Sequence, residues 1–396
     1  MVFETRRHGE GGDMLNIGIT GQPGFVGTHL YNTLGLYPEK YIRIPFEDAF
    51  FSDETKLKSF VSSCDVIVHL AAMNRHNNPE VIYKTNIGLV KQLIAACEAT
   101  SSTPHILFSS STQEERDNLY GKSKKEGREL LEQWANKNDG QFTGLIIPNV
   151  YGPFGHPYYN SVVATFCHQL THNETPQIDV DGDLKLIYVG ELVKHFIDLI
   201  DDVAGEQKDN VVIQQVKIGH TAEIKVSKLL QILKTYQNNY FIKGEIPALD
   251  TPFKRNLFST FLCYIDHATF FPFHLKLNTD DRGSFVETLK LNSGGQISFS
   301  TTVPGITRGN HFHTRKAERF AVIKGKARIE FRRIGTDRIC SFDLDGSQPS
   351  FVDMPIWHTH KITNTGTDDL YTIFWINEHY DASDTDTYFE KVRSTE

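Results

Sequence analysis

Short apolar runs alternate with longer segments of helical periodicity through roughly the first 240 residues of the chain. The apolar runs "LNIGIT", "YIRI", "DVIVHLAA", "HILFSSS" and "TGLIIPNVYG" predict strands, and "GFVGTHLYNTL", "NIGLVKQLIAACEAT" and "GKSKKEGRELLEQWANKN" predict helices. Strands that alternate with helices indicate a parallel sheet with crossover helices. The runs are apolar almost throughout, as in strands buried on both faces. We therefore expect a doubly wound, parallel α/β sheet.

The pattern changes after about residue 245, where many short strand-like segments follow one another. They are "TFFPFHLKL", "SFVETLKL", "GQISFSTTV", "RFAVIKG", "KARIEFRRI", "SFVDMP", "HKITNT" and "LYTIFWIN", separated by Gly, Asn, Asp and Pro. Such spacing is typical of an all-β sandwich or barrel. The stretch "GEIPALDTPFKRN", with two prolines, is the expected junction. We predict a disordered leader at 1–13, an α/β domain at 14–246 and a β domain at 247–396.

Length, charge and cysteine content indicate the number of domains, the compartment and the partners to expect. A length of 396 residues suggests two domains, and a net charge of −8 argues against nucleic acid as a partner. The five cysteines are odd in number and form no C-x-x-C, which is typical of reduced thiols in a cytoplasmic protein. No apolar run approaches the roughly 20 residues of a membrane helix, so no membrane association is expected.

A glycine-rich turn follows the first predicted strand and opens a helix. Gly21, Gly24 and Gly27 form G-x-x-G-x-x-G in "ITGQPGFVGTHL". Glycines here allow a tight turn and let the backbone approach a pyrophosphate at a helix N-terminus. The motif "HLAA" ends the third strand, where adenine or ribose would lie. The predicted cofactor-binding residues here are Gly21, Gly24, Phe25, Gly27, Leu70 and Ala71.

A tyrosine and a lysine stand four residues apart in "YGKSK". Tyr120 and Lys124 would share one face of a helix. An ammonium beside the phenol lowers the pKa of the phenol and makes it a proton donor or acceptor near pH 7. The alternative is an ordinary exposed helix pair. The upstream run "FSSST", at a strand end, favours the catalytic interpretation because it supplies a hydroxyl.

These motifs together resemble the extended short-chain dehydrogenase/reductases that act on nucleotide sugars, which have a Rossmann-like fold. The resemblance implies that Tyr120 and Lys124 are catalytic, that Lys124 also holds the nicotinamide ribose, and that Ser111 is the catalytic serine, with Ser110 second. Asn86 matches the asparagine that opens a helix. Asn149, in "IPNVYGP", lies where the chain enters the sugar-binding part.

Two further residues bear on the reaction and the cofactor. Dehydratases of this family carry Thr-Asp-Glu after the strand, whereas this chain has Gln113 in place of the acid, which favours plain hydride transfer. Arg43 stands near the end of the second strand, where NAD enzymes usually have an acid, and a guanidinium suits a 2′-phosphate. Glu47 and Asp48 follow it and weaken the argument. NADPH is the predicted cofactor.

A cluster of possible metal ligands lies in the β part. His311 and His313 alternate on a predicted strand and so point the same way, and Glu318 can face them across a hairpin. Imidazoles with a carboxylate bind zinc, iron, nickel or manganese. An H-x-H on a strand is also often a surface accident. Here Gly305 and Gly325 complete the spacing G-x5-H-x-H-x4-E-x6-G, which favours the metal site.

This spacing resembles the first motif of the cupins, which are jelly-roll β-barrels. The second cupin motif is matched by Pro355, His360 and Asn364 in "MPIWHTHKITN". Trp357 stands where that motif usually has glycine, and His358 is an additional candidate. The resemblance implies that His311, His313, Glu318 and His360 bind a divalent metal, for which we favour zinc.

A second resemblance overlaps the first. "DDRGSFVE" and "TRGNHF" are similar to the nucleotide-sugar 3,5-epimerases, in which the histidine at His311 is a base and no metal is needed. His311 is thus expected in two incompatible roles. We favour the metal role, which leaves the base unidentified. Arg282 and Arg308 are candidates for binding the diphosphate, with surface salt bridges as the alternative.

The combination resembles CapF-type bifunctional enzymes of capsular polysaccharide synthesis. The resemblance implies C3 epimerisation of a UDP-4-keto-6-deoxy-N-acetylhexosamine by the cupin part and NADPH-dependent reduction at C4 by the other, and we expect a homodimer. Three alternatives remain. The cupin part serves only as a metal-stabilised dimerisation module, the chain fuses a cupin dioxygenase to a dehydrogenase, or it is a regulatory module that binds NADPH without turnover.

Overall fold

The computed structural model describes residues 14–205, 212–281 and 283–393. The predicted leader, 1–13, lies outside the described residues. The chain divides into two compact units: the first is formed by 1–150 and 189–220, and the second by 151–188 and 221–396. The domain boundary at 246/247 stays a prediction. No helix in the described part of the chain is both long and apolar enough to cross a membrane.

The first unit contains a six-stranded parallel sheet with helices between its strands. Its strands are β1 (Leu15–Thr20), β2 (Tyr41–Ile44), β3 (Val66–His69), β4 (His105–Ser111), β5 (Phe142–Ile147) and β8 (Ile213–Lys217), and its helices are α1 (Phe25–Leu34), α2 (Glu54–Ser62), α3 (Pro79–Thr100), α4 (Leu119–Lys137) and α6 (Val189–Gly205). The strand order is β2-β1-β3-β4-β5-β8, and every pairing is parallel. The predicted Rossmann-like sheet is confirmed.

The order of strands places a ligand-binding crevice in the first unit. From β1 the chain moves to β2 on one side and then to β3 on the other, so the carboxyl ends of β1 and β3 flank a topological switch point. Ile67, Val68, Ile106 and Leu107 are completely buried, which explains the continuous apolar runs. The predicted strand "TGLIIPNVYG" is instead two strands, because Pro148 lacks the N–H that a central strand requires.

The helical part of the second unit has its own core. β6 (Asn149–Tyr151) leads the chain into it, followed by α5 (Val162–Thr171), β7 (Asp183–Tyr188), β9 (Ala222–Lys225), α7 (Val226–Tyr236) and α8 (Pro252–Leu262). β7 and β9 pair antiparallel. Side chains of α5, α7 and α8 share one hydrophobic cluster, in which Cys167, Leu233 and Phe261 are completely buried.

The rest of the second unit is formed mainly by antiparallel strands, which confirms the predicted β class. After the short helix α9 (His267–Phe270) come β10 (Phe273–His274), β11 (Asn278–Asp280), β12 (Gly283–Phe285), β13 (Gln296–Thr302), β14 (Thr307–Phe312), β15 (Glu318–Lys324), β16 (Lys326–Arg333), β17 (Ile339–Asp345), β18 (Ser350–Met354), β19 (His358–Asn364), β20 (Leu370–Ile376) and β21 (Tyr388–Phe389). Two five-stranded sheets have the orders β10-β18-β15-β20-β13 and β17-β16-β19-β14-β21. The predicted strand "TFFPFHLKL" is mostly α9 and loop.

A buried ion pair joins the helical and β parts of the second unit. Arg319 of β15 donates two hydrogen bonds to the Asp353 carboxylate, at 2.8 and 2.9 Å, and one to the Gly244 carbonyl at 2.7 Å. Tyr240 donates to the same carboxylate at 2.6 Å. Three of these residues, Arg319, Asp353 and Tyr240, are at most 3% exposed. This network ties the strand that begins with Glu318 to the helical part.

Candidate active site and metal centre

The glycine-rich turn lies at the carboxyl end of β1. Gly21 has φ +71°, and a Cβ added there would lie 2.8 Å from the Ala71 backbone nitrogen. A Cβ on Gly27 would lie 2.4 Å from the Gly21 carbonyl oxygen. Gly24 donates its N–H to that oxygen at 3.0 Å and caps α1. Gly21 and Gly27 therefore have no room for a side chain, and the turn leaves the N-terminus of α1 open to an anion.

The segment after β3 is held against this turn. Leu70 donates its N–H to the Thr20 carbonyl at 3.1 Å. The buried Asn86 side chain accepts from Met73 N–H at 2.7 Å and donates to the Met73 carbonyl at 3.1 Å and to the Ser123 hydroxyl at 3.0 Å. Asn86 thus orients the segment by closing it onto α4. Phe25 is the first residue of α1 and packs edge-on against His29.

Tyr120 and Lys124 lie one turn apart on α4. The Lys124 ammonium nitrogen is 5.9 Å from the centre of the Tyr120 ring and donates to the Ser109 carbonyl at 2.8 Å. Burial lowers the pKa of Lys124 to about 8, although the Glu114 carboxylate acts in the opposite direction. A buried cation beside a phenol favours the phenolate that remains after proton transfer.

The two candidate serines differ in their partners. The Ser110 hydroxyl donates to Glu114, whose carboxylate is also held by Arg128 at 3.0 to 3.3 Å. Ser110 is buried in this network, whereas Ser111 is only half-buried. The Ser111 oxygen accepts from Gln113 N–H at 3.2 Å, which leaves its own proton available to a substrate oxygen. The geometry favours Ser111, as the resemblance does.

Arg43 does not lie at the glycine-rich turn. It pairs in register with Ile17, in the middle of β1, and its guanidinium stacks on the Tyr31 ring at 4.2 Å and donates to the Tyr31 carbonyl at 3.1 Å. A Cβ on Gly35, which caps the C-terminus of α1, would lie 2.6 Å from this guanidinium. The side chain is therefore folded onto the opposite end of α1 from the turn. The preference for NADPH stays a prediction.

Four side chains form a compact cluster in the β part. His311 of β14, His313 just beyond it, Glu318 of β15 and His360 of β19 each offer one ligand atom, and these atoms all lie within 4.8 Å of one another. A Glu318 carboxylate oxygen is 3.4 Å from His313 Nε2 and 3.0 Å from His360 Nε2. All three atoms are buried and make no hydrogen bond with any described residue.

The chemistry of this cluster fits a transition metal. Buried polar atoms that converge without hydrogen bonds are costly unless a cation neutralises them. Burial lowers the pKa of His311 to about 3, so its imidazole is neutral, as a ligand must be. Three imidazoles with one carboxylate suit zinc and similar ions. The structure brings the four residues together, and their role as ligands stays a prediction.

Backbone carbonyls orient two of the imidazoles. His313 Nδ1 lies 2.5 Å from the Asp386 carbonyl, and His360 Nδ1 lies 3.1 Å from the His358 carbonyl. These oxygens can only accept, so each Nδ1 carries the proton and each Nε2 presents its lone pair to the cluster. The His358 ring itself packs against Phe331, and its Nδ1 contacts the Ile356 carbonyl at 2.9 Å. His358 therefore does not belong to the cluster.

Two irregular backbone features shape the site. The register of β14 against β19 shifts between Gly309 and His311, with Gly309 at φ +109° and Asn310 at φ +58°. A Cβ on Gly309 would lie 2.5 Å from the His360 carbonyl oxygen. This bulge aligns His311 with His360 on one face of the sheet. Trp357 adopts φ +59°, a conformation that favours glycine, which is the residue that the resemblance leads one to expect at this position.

Comparison with known proteins identifies the family. Residues 17–213 match the NAD dependent epimerase/dehydratase family, and residues 278–388 match a polysaccharide biosynthesis C-terminal domain. A protein of Pseudomonas aeruginosa named UDP-2-acetamido-2,6-beta-L-arabino-hexul-4-ose reductase is 35% identical over 380 residues, covering 94% of this chain and 98% of that protein. This chain belongs to the same family.

Solved structures of the family agree with this assignment. The capsular polysaccharide assembling protein CapF from Staphylococcus aureus is 34% identical, with a TM-score of 0.60, and the match covers 96% of this chain and 100% of that one. A UDP-glucose 4-epimerase from Thermotoga maritima, 22% identical with a TM-score of 0.50, matches 57% of the chain and shows the fold alone. The expected resemblance to CapF is confirmed at the level of the family.

The three predicted substrate-binding residues of this CapF relative differ in their locations. Arg308 is exposed on β14, opposite Ile362, and donates to the Thr301 carbonyl at 3.1 Å. Because of the bulge, Arg308 lies on the same face of the sheet as His311. Asn149 is exposed at the start of β6. Arg282 lies outside the described residues.

Two residues with roles at these sites were missed by sequence reasoning. The buried Asp386 carboxylate accepts from three consecutive backbone N–H groups, at positions 314–316, each at 3.0 Å. His69 is stacked on Phe108, with the ring centres 5.7 Å apart, and burial together with the charge of Lys124 lowers the pKa of His69 to about 3. The motif "HLAA" contained a signal for His69, whereas nothing local marked Asp386.

Proposed function

We propose that this chain reduces the C4 ketone of a UDP-4-keto-6-deoxy-N-acetylhexosamine with NADPH and inverts C3 in its β part. The product would be a UDP-6-deoxy-L-talose-type amino sugar on the route to UDP-N-acetyl-L-fucosamine for surface polysaccharide. The observation that carries the proposal is the pair Tyr120 and Lys124 with its buried ammonium. The name of the P. aeruginosa relative, a hexul-4-ose reductase, supports the same substrate class.

In the reduction, each candidate site residue of the first unit has its own chemical role. The dinucleotide, when bound at the glycine-rich turn, supplies a hydride to the ketone carbon. Tyr120 donates its phenolic proton to the ketone oxygen, and the Lys124 ammonium stabilises the phenolate that remains. Ser111 donates a hydrogen bond to the same oxygen and orients it. Gln113 cannot protonate a leaving hydroxyl, which supports reduction without dehydration.

NADPH is proposed as the cofactor despite the position of Arg43. To reach a 2′-phosphate, Arg43 would have to leave the Tyr31 ring and carbonyl, which are weak partners for a guanidinium compared with a phosphate. The test compares kcat/KM with NADPH and NADH in the wild type and in Arg43→Ala. A preference for NADPH that is lost in the variant supports the proposal, and equal use of both cofactors by the wild type refutes it.

The β part is proposed to form a cupin barrel and to act as the epimerase. The C4 ketone acidifies the C3 proton, and a bound cation would polarise the ketone oxygen. His311, His313, Glu318 and His360 would hold that cation, for which zinc is proposed. With all four used as ligands, the base is another residue. Arg308, on the same face as His311, is proposed to contact the diphosphate.

Hydrogen exchange separates the two half-reactions. The chain is incubated with the UDP-4-keto sugar in D2O, with and without NADPH, and the products are analysed by mass spectrometry and NMR. Deuterium at C3 in the absence of NADPH supports an independent epimerase. If no exchange takes place under either condition, the bifunctional proposal is wrong. Wild-type NADPH oxidation by Tyr120→Phe would refute the proposed acid.

The alternatives give different outcomes with a variant of the β part. Glu318→Gln removes the carboxylate of the cluster and keeps its shape. If the β part serves only as a dimerisation module, this variant still forms the C3-inverted product. A dioxygenase would consume oxygen and contain iron, which metal analysis detects. A regulatory module would bind NADPH and oxidise none of it in the presence of the sugar.

A homodimer in a reducing, cytoplasmic compartment completes the proposal. β13 lies at the end of its sheet among the described residues, and its outer face exposes Ile297 and Phe299 by 56% and 59%. An apolar edge strand of this kind favours pairing with another chain. All five cysteines are free, which supports the compartment. Light scattering of the wild type and of Phe299→Lys tests the dimer, and a wild-type monomer would refute it.

A further inference from the structure

Among the described residues of the second unit, one half-buried arginine has no charged or hydrogen-bonding partner for its side chain. Arg333 is the last residue of β16, and its guanidinium carbon lies 3.5 Å from the centre of the Phe154 ring. Among the described residues, no carboxylate lies within ion-pair distance of this guanidinium and no oxygen accepts a hydrogen bond from it. The ring of Phe154 covers one face, and the edges that carry the N–H donors are left without acceptors.

Three other buried or half-buried arginines each bind a carboxylate. Arg128 binds the Glu114 carboxylate, and Arg319 binds Asp353 with two hydrogen bonds. Arg332, the neighbour of Arg333 on β16, reaches a carboxylate and three backbone carbonyls. A partly buried guanidinium is costly to leave unpaired, and its burial lowers the pKa of Arg333. The guanidinium of Arg333 lacks such a partner within the described part of the chain, and free N–H donors of this kind are what an anion-binding site requires.

The surroundings of Arg333 are anchored by further contacts, and no carboxylate of the described residues lies within ion-pair distance of its guanidinium. His358 pairs with Arg333 in register, and its buried ring lies 6.0 Å from that of Phe154. The turn that carries Phe154 is anchored because the Tyr264 hydroxyl donates to the Gly155 carbonyl at 2.7 Å. Phe154 itself has φ +67°, an unfavourable conformation for a bulky residue that often marks a functional site.

We propose that Arg333, in addition to Arg308, binds the diphosphate of the nucleotide sugar. A planar guanidinium held flat on an aromatic ring presents two parallel donors to phosphate oxygens, and a diphosphate offers acceptors at the matching spacing. Phe154 belongs to the turn "YGPFG", five residues after Asn149, so the site is formed by that turn and by β16 of the β part. The assignment rests on the proposed function for the identity of the sugar nucleotide, but the anion site itself does not.

The test is calorimetric titration of the full-length protein with UDP, uridine, inorganic pyrophosphate and NADP+. Arg333→Met keeps the length and the contact with Phe154 while it removes the charge. Arg328→Met is the matched control, because Arg328 lies on the same strand in an exposed ion pair with Asp343. We expect Arg333→Met to weaken UDP and pyrophosphate binding about 10- to 100-fold. Uridine and NADP+ binding should stay within about twofold, and the control should match the wild type for all four ligands.

The outcomes separate this proposal from the proposed function. Equal UDP and pyrophosphate affinity in Arg333→Met and the wild type overturns the anion site, as does a wild type that binds neither ligand. A loss confined to NADP+ assigns the residue to the cofactor and also overturns the proposal. If pyrophosphate binding depends on Arg333 while the UDP-4-keto sugar is not reduced, the anion site stands and the proposed function fails. Unchanged thermal unfolding of Arg333→Met shows that a weaker affinity is not a folding defect.

Discussion

The buried ammonium of Lys124 should make the free energy of unfolding depend on pH. The substitution Lys124→Met should remove this contribution to the pH dependence. Its pKa falls from an ordinary value of 10.5 to about 8, mainly because of burial. At about 1.4 kcal/mol per tenfold change in proton affinity, this fall corresponds to roughly 3 kcal/mol. That free energy opposes folding while the amine is charged in the folded state, so it is a cost of keeping a charged amine in the core.

The sign of the pH dependence follows from proton uptake. Between about pH 8 and pH 10.5 the unfolded chain keeps the proton that the folded chain has lost, so the unfolded state binds more protons and the free energy of unfolding rises with pH. Lys124→Met lacks this titration. Between pH 7 and pH 10, the free energy of unfolding of the wild type should therefore rise by about 2 to 3 kcal/mol relative to that of Lys124→Met.

The assay is urea unfolding of both proteins at several pH values, in the absence of added cofactor. Tyrosines and cysteines that titrate in the same range are common to both proteins and cancel in the difference. Lys125→Met is the matched control, because Lys125 is the exposed neighbour on α4, and its difference from the wild type should not vary with pH. If the difference for Lys124→Met changes by less than about 1 kcal/mol over this range, the reasoning from burial is refuted.

Three further substitutions test the two sites. Glu318→Gln should lower the metal content, measured by plasma mass spectrometry, to well below one ion per chain. A chelator should lower the melting temperature of the wild type but not that of the variant. Equal metal content in the two proteins would contradict the metal site. Asp386→Ala should weaken metal retention against a competing chelator about 10- to 100-fold, because the three backbone N–H groups that follow His313 lose the carboxylate that holds them. Unchanged retention would show that the Asp386 side chain does not position the ligand. Gly27→Ala should abolish NADPH binding in a fluorescence titration, whereas Gly88→Ala, with no atom within 4 Å of the added Cβ, should bind normally; normal binding by both would contradict the phosphate-binding role of the turn.

Local spacing was sufficient for features whose partners lie close in sequence. Tyr120 and Lys124 meet because helical periodicity brings residues four apart onto one face. His311 and His313 share a face because strand periodicity is two. The glycine-rich turn was also predictable, since the absence of side chains is itself the signal for a close backbone approach.

Register and bulges were not predictable from the same patterns. Arg43 was expected beside the 2′-phosphate of the cofactor, near the end of the second strand, but it lies opposite Ile17, in the middle of β1, and its guanidinium packs on Tyr31. A side chain near the end of a short strand can point towards either end of the neighbouring helix. The packing around the side chain determines which end it contacts. Likewise, the bulge at Gly309 aligns His311 with His360, and one residue more or less would have moved His311 to the other face.

Local sequence patterns were enough to predict the parallel sheet, the β class of the second half, the glycine-rich turn and the grouping of three candidate metal ligands within eight residues. These depend on periodicity and on residue chemistry, which are local properties of the chain. Tertiary structure alone decided that Asp386 supports His313, that Arg319 joins the helical and β parts, and that Arg333 faces Phe154 without a partner. Each of these contacts joins residues about 70 to 180 positions apart, and their free energy comes from burial and pairing that no short stretch of sequence contains.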